Sequence, residues 1–369
     1  MRKLPITLFL IICGILAATP VWAVETGGKV ELNYLGSWDE DGTYADQWTD
    51  SLDLELYLSP QGKTELSYAF RVGSPLQDLL ASKEATYFTK KLYLKHRFGH
   101  FHLTVGRQPV SWSFGSMLNP VDYTMGAEVL EKEHERKFTD AVEAYIPLNW
   151  NSGLALVVSF PTGFAWETEK LKWGIRGRFG FKGYDLTANY VQEAVTDLHG
   201  YGSGAHGIIG LSPLPRQRVG LTFKGDLGPI GVYGAFGHYF GEEQEQYNSY
   251  LLGIDYSYNI DYYSKLTMQL EYLGLEGSNL TPLLGPLLMM SSGKERTHLL
   301  TGNLAYPIDD FSSVALTAIA NLDGSKYIVT PKYQNTLPGN IDLDLSLLFY
   351  LSDSEPNTTS FVVDLSYPF

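Results

Sequence analysis

Apolar and polar side chains alternate with a period of two through almost the whole chain after its first 23 residues. Leu52, Leu54, Leu56 and Leu58 alternate with Asp53, Glu55 and Tyr57. Leu66, Tyr68, Phe70 and Val72 alternate with Glu65, Ser67, Ala69 and Arg71. The same rhythm sets Trp173, Ile175 and Phe179 against Lys172, Gly174, Arg176 and Arg178, and Leu343, Leu345 and Leu347 against Asp342, Asp344 and Ser346. A period of two means strands with unlike faces. The segments run to about ten residues, the length of a strand that crosses a bilayer at a tilt. Strands of a secreted sandwich usually run about 5–6 residues. Tyr, Trp and Phe stand near the ends of the apolar faces, where a barrel carries its interfacial girdles.

Composition agrees with strands rather than helices in a membrane. Only 18% of the residues are charged and 25 are Tyr, at a mean hydropathy of −0.10. That is too polar for a helical bundle and poorer in charge than the roughly 25% of a soluble domain. No segment after the start offers the roughly 20 continuous apolar residues of a membrane helix. The longest rival, Leu280 to Met290, is broken by Pro282, Gly285 and Pro286. Residues 1–23 read as a cleaved signal peptide: Arg2 and Lys3, an apolar run from Ile6 to Ala18, then Val21-Trp22-Ala23 before the cut. The route implied is general secretory export. The only cysteine is Cys13, inside that leader, so the exported chain has no disulfides and no cysteine metal sites. The whole chain carries a net charge of −14, and the leader removes two positive charges and no acid, which argues against a nucleic-acid partner. Nothing in the sequence calls for a cofactor.

Turn signals divide residues 24–369 into eighteen strands, near 28–38, 49–58, 62–73, 86–98, 99–110, 137–148, 152–161, 170–180, 183–193, 215–225, 229–240, 246–258, 262–274, 295–307, 310–322, 326–334, 339–351 and 358–369. The fold expected is all-β: a transmembrane, antiparallel, up-and-down β-barrel with short periplasmic turns and long outer loops. The weakest segments are 326–334, which contains Pro331, and the boundary near 98–99; without them sixteen strands also fit. Closure satisfies every backbone group that lipid would otherwise leave unpaired. Long connections are expected at 39–48, 74–85, 111–136, 194–214 and 275–294.

In architecture the chain resembles the porin-type outer-membrane barrels of diderm bacteria. Its final strand, Phe361, Val363, Leu365, Tyr367 and Phe369, resembles their assembly signal, with Tyr367 and Phe369 as the residues read by the barrel assembly machinery. A narrower likeness lies in Gly106-Arg107-Gln108, Trp112, Gly115, Asn119-Pro120 and Asp122. This run is similar to one in uncharacterised and alginate-export-like barrels, with Phe114 where those have Gly or Thr. The resemblance implies an outer membrane location, contact with lipid and lipopolysaccharide, and a homotrimer.

A barrel of this size leaves an aqueous lumen, and its inward charges set what passes. Parity places Glu31, Asp53, Glu55, Asp342 and Asp344 on one wall, with Glu65 and Asp364. Lys95, Arg97, Arg176, Arg178, Arg218 and Lys224 lie across from them, with Lys91 and Lys172. Either the two walls create a transverse field, or these are ordinary solvated lumen residues. Residues 111–136 are the candidate constriction loop, with Trp112, Asn119, Asp122 and Glu128 as its marked residues. Trp112, Phe114, Met117 and Leu118 would be left in water by an exposed loop. The rival is a loop packed on the rim. Strict alternation puts Arg107 on the lipid face, unless a bulge at Gly106 turns it inward onto Asp122.

Other chemistry has weaker support. His100 and His102 share a face, but two ligands are too few for a metal site. Asp39, Glu40, Asp41, Asp46 and Asp50 form an acidic stretch without calcium-loop spacing. The glycine-rich 200–210 stretch lacks the lysine of a phosphate loop. The function expected is a passive channel for small hydrophilic solutes, not an enzyme. The alternatives are a barrel-type hydrolase, for which no nucleophile elbow is found, and a structural or adhesive barrel with a blocked lumen.

Overall fold

The computed structural model describes residues 24–74, 86–112, 114–123, 138–160, 168–194, 217–241, 244–261, 264–276, 296–323, 326–353 and 356–369. The leader, Glu128 with the rest of 124–137, the glycine-rich 200–210 stretch and the leucine-rich 280–290 stretch lie outside them. Strands β1 to β6 are Val24–Asp39, Tyr44–Gln61, Thr64–Ser74, Thr86–Arg97, His102–Pro109 and Phe138–Asn149. Strands β7 to β12 are Ser152–Ser159, Lys172–Phe181, Tyr184–Gln192, Gln217–Leu227, Ile230–Gly241 and Gln244–Asn259. Strands β13 to β18 are Lys265–Glu276, Arg296–Pro307, Ser312–Asn321, Lys326–Leu337, Ile341–Ser352 and Thr358–Pro368. Every strand pairs antiparallel with both of its chain neighbours, and β1 pairs with β18 from Lys29↔Pro368 to Asp39↔Thr358. Mutual backbone bonds of 3.0 Å between Gly28 and Phe369 finish the seam. The sheet is a closed eighteen-strand barrel.

Connections sort by end. After every even-numbered strand the chain turns within two to five residues, whereas the longest connections, 110–137, 193–216 and 277–295, all follow odd-numbered strands. At one short turn Lys182 and Gly183 both take positive φ, 49° and 85°, as a two-residue hairpin of the primed type requires.

One local expectation is corrected and two weak segments are resolved. The acidic stretch 39–48 is not a long loop: β1 and β2 run on through it, leaving only residues 40–43 between them. Outward aromatic pairs, Tyr34 with Trp48 at 4.5 Å and Trp38 with Tyr44 at 5.1 Å, hold the extended ladder together. The boundary near 98–99 is a turn over Phe98–Phe101, closed by a 2.8 Å backbone bond. Pro331 sits inside β16, with Leu316 opposite it on β15. On its other side the ladder with β17 skips from Val329↔Phe349 to Lys332↔Ser346, because proline has no N–H to give. Both weak segments are strands, so eighteen stands and sixteen falls.

Alternation sorts the two faces. On β10, Val219, Leu221 and Phe223 are exposed while Arg218, Gly220 and Thr222 between them are buried. The outward row is the lipid-facing set, and the inward row meets residues from distant strands. Inward apolar clusters break the simple rule, among them Ile319, Ile328 and Tyr350 on β15 to β17. Tyr233, Tyr239, Leu251, Leu273, Leu275 and Leu299 are apolar, buried and inward, on β11 to β14. Outward Ile175 on β8 lies between Leu156 and Tyr190 of the neighbouring strands. Ile175→Lys should destabilise the folded barrel by about 2–4 kcal/mol near the bilayer midplane, read by equilibrium unfolding in lipid vesicles. No loss would place this face away from lipid.

Candidate functional site: a loop docked inside the barrel

Residues 110–112 and 114–123 follow β5 and cross the interior. Within the segment, Asp122 accepts from the Ser111 hydroxyl at 2.7 Å and from the Trp112 N–H. Asn119 accepts from the Val121 N–H at 3.2 Å and donates to the Trp112 carbonyl at 3.3 Å. Asn and Asp side chains that bond nearby backbone make a turn in this way, so Asn119-Pro120 folds the loop back on Trp112.

The loop then meets one wall after another. The Tyr123 hydroxyl bonds Ser159 of β7 at 2.7 Å and donates to the Lys172 carbonyl of β8 at 3.2 Å. Burial pushes the Tyr123 phenol up, so it stays a neutral hydroxyl. Asn189 of β9 donates to the Val121 carbonyl at 3.3 Å. Arg218 of β10 donates to the carbonyls of Asp122 and Tyr123, the latter at 2.9 Å. Tyr239 of β11 donates to the Pro120 carbonyl. Glu271 of β13 accepts from the N–H groups of Met117 at 2.6 Å and Leu118 at 3.0 Å. A segment that touches β7 through β13 in a closed barrel lies inside it.

Packing follows the same track. Leu118 and Val121 bury against the inward apolar residues of β11 to β14. Trp112 and Tyr123 bury against Ala141, Val157 and Val191. Three wall glycines make room: a Cβ on Gly174 would meet the Trp112 ring at 2.8 Å, and one on Gly220 or Gly237 would meet Val121 at 2.8 or 2.9 Å. Glycine inside a strand marks a close approach of this kind.

The lumen charges are interleaved rather than segregated, which corrects the expectation of an acidic wall facing a basic one. Asp53 is buried between Arg71, at 2.7 Å, and Lys90, at 2.5 Å. Arg71 also reaches Glu31 at 3.0 Å. Glu55 pairs with Lys91 at 3.1 Å, Glu65 with Arg97 at 3.3 Å, and Asp344 with Lys332 at 2.9 Å. Asp342 accepts from Thr336 at 2.8 Å and Asp364 accepts from Asn33. On the other side Arg178 pairs with Asp185 at 2.7 Å, and Glu193 takes both Lys172 at 2.9 Å and Arg218 at 2.6 Å. Opposite signs thus neutralise each other locally, wall by wall. Arg218 is 2% exposed beneath the loop rather than open to the lumen. Lys95 sits across from Glu65 and Thr104 in register. Lys224 is exposed, 5.9 Å from the Tyr233 ring centre. Arg176 keeps a buried Nε without a hydrogen-bond partner.

Arg107 keeps the outward parity of Val105. It bonds the Thr89 carbonyl at 2.6 Å and approaches Asp140 at 3.8 Å, not Asp122. Among the described residues no three metal-ligating side chains converge. The sequence did not single out Glu271, Tyr239 and Asn189, which hold the loop, or Glu193, which pairs with Arg218. The wall glycines were the available signal.

A closed eighteen-strand barrel with a segment folded into its interior is the porin type of architecture. No known protein-family model matches the sequence, and no curated protein matches it. Solved structures do. Pseudomonas aeruginosa OpdQ aligns with a TM-score of 0.63 at 8% identity, over 95% of this chain and 99% of that one. Pseudomonas aeruginosa OccK11 (OpdR) aligns at 0.60 and 12% identity, over 94% and 96%. Acinetobacter baumannii OccAB4 aligns at 0.60 and 9% identity, over 94% and 98%. These neighbours are outer-membrane porins of the OprD/Occ family of Gram-negative bacteria, and the chain shares their fold.

Arg218→Met should free the trailing end of the loop and leave Glu193 with Lys172 alone. The expected cost is about 1–3 kcal/mol, that of a buried polar group losing its partner. Equilibrium unfolding reads the stability, and protease cleavage near Asp122 in the folded barrel reads the loop. A variant as stable and as protected as the parent would show that Arg218 does not hold the segment.

Proposed function

We propose that this chain is an outer-membrane channel through which small hydrophilic solutes diffuse passively, narrowed by residues 111–136. The observation that carries this reading is the docked segment 110–123. Eighteen strands enclose more room than wall side chains fill, and a loop pinned across that room sets the free cross-section. Solutes then pass lumen side chains of both signs, Lys95, Arg97, Arg176, Arg178 and Lys224 together with Glu31, Glu55, Asp342 and Asp344. The likeness to channels rather than enzymes supports a non-catalytic role. Export by the leader 1–23, assembly through Tyr367 and Phe369, insertion beside lipopolysaccharide and a homotrimer belong to the same reading. The run from Gly106 to Asp122, similar to alginate-export-like barrels, coincides with the docked segment, and we read it as a loop-docking signature.

Deleting residues 113–134 should raise single-channel conductance in planar bilayers while the barrel still assembles. An assembled deletion variant with unchanged conductance would remove the loop from the constriction, and a parent protein that never conducts would favour a blocked structural barrel. Neutralising Arg176 and Arg178 together should move the reversal potential in a salt gradient toward cation preference. An unmoved reversal potential would take these arginines off the conduction path.

A further inference from the structure

The loop is held at its two halves by groups of opposite charge on different strands. Glu271 on β13 is fully buried. Its Oε1 accepts from the Met117 N–H at 2.6 Å, the Tyr233 hydroxyl at 2.8 Å and the Gln269 amide at 3.0 Å. Its Oε2 accepts from the Leu118 N–H at 3.0 Å. Four donors converge on one carboxylate; the ionised form is acceptor-only, whereas a protonated carboxyl sets a hydrogen of its own among those donors and holds them more weakly. The groups around it are Lys224 from β10, beyond the Tyr233 ring, Tyr233 from β11, Gly253 from β12 directly opposite with Asp255 across from Gln269, Gln269 from its own strand and Thr301 from β14. Among the described residues no cation bonds to it. Arg218 on β10 is the opposite case. Its guanidinium holds the Asp122 and Tyr123 carbonyls and Glu193, and it does not lose its proton in proteins. Between the two pins lies the Asn119-Pro120 turn.

We propose that Glu271 is an acid-sensitive latch for the leading half of the lumen loop, residues 114–118, while Arg218 keeps the trailing half docked at every pH. Protonating Glu271 releases the Met117 and Leu118 N–H groups, and the leading half lifts from the wall about the 119–120 turn. This rests on the channel reading only for its electrical consequence, a conductance that rises in acid. The docking itself is independent of conduction.

The sequence has no cysteine after Cys13, so single Met117→Cys and Val121→Cys barrels of residues 24–369 report each half separately. Labelling of the folded barrel in detergent by a dipyridyl disulfide, a reagent that works in acid, gives the readout. Adding Glu271→Gln should speed labelling of the Met117→Cys barrel about tenfold or more at neutral pH, as the loss of a charged hydrogen bond implies. Acidifying the Met117→Cys barrel without Glu271→Gln should do the same. Labelling of the Val121→Cys barrel should not change in either test. Should Glu271→Gln fail to fold, the acid comparison still decides. Equal Met117→Cys rates with and without Glu271→Gln, or at neutral and acid pH, overturn the latch. Acceleration at both positions overturns the division into halves. A barrel that never conducts but shows the Met117→Cys acceleration sinks the channel reading and leaves the latch standing.

Discussion

Closure of the sheet is the constraint on which everything else depends. Lipid offers no hydrogen bonds, so every strand must find partners on both sides, and the β1–β18 ladder completes the ring. Closure at eighteen strands fixes a circumference, and with it an interior that wall side chains alone do not fill. The problem then reverses. A chain that has solved its backbone pairing has an aqueous hole to control.

The segment 110–123 enters it by joining apolar burial to polar docking. Leu118 and Val121 cover an inward apolar patch that breaks the polar lining, from Tyr233 to Leu299. Around that patch the loop's own backbone is satisfied by wall side chains: acceptors for its N–H groups on β13, donors for its carbonyls on β9, β10 and β11. An irregular segment that buries its backbone needs such partners, and glycines on the wall let it come close. Away from the loop the lumen charges neutralise one another over short distances, as Asp53 does with Arg71 and Lys90. The parts of the lining that keep net freedom to meet a solute are few, and Lys224 beside the loop is among the exposed ones.

Strand number and face were legible because lipid keeps the outward row apolar along Leu52 to Leu58 of β2, Leu66 to Val72 of β3, and β17. The short turns after even-numbered strands were legible for the same reason. The acidic stretch 39–48 misled, since charge reads as loop while Trp48 and Tyr44 were part of an outward aromatic row continuing to Tyr34 and Trp38. On β13 the run from Tyr272 to Leu275 is uncharged on both faces, so periodicity alone did not reveal that Leu273 and Leu275 point inward to meet a loop. Glu271 was one acid among 41, and its role comes from partners more than a hundred residues away in sequence. Trp112, Asn119 and Asp122 were legible as loop residues because their types define a turn, but which wall they faced was not. Charge segregation was inferred from parity within strands. Parity carries no information on the cations that neighbouring strands bring, and Lys90 and Lys332 were overlooked for that reason.

The central claim is that the docked loop narrows an otherwise wide barrel. Polymer exclusion on the intact protein tests it most directly: single-channel conductance in planar bilayers, recorded with neutral polymers of graded size. The account predicts stable open steps, with a size cut-off well below that of an unobstructed eighteen-strand cylinder. Open steps with the cut-off of an empty barrel would contradict it.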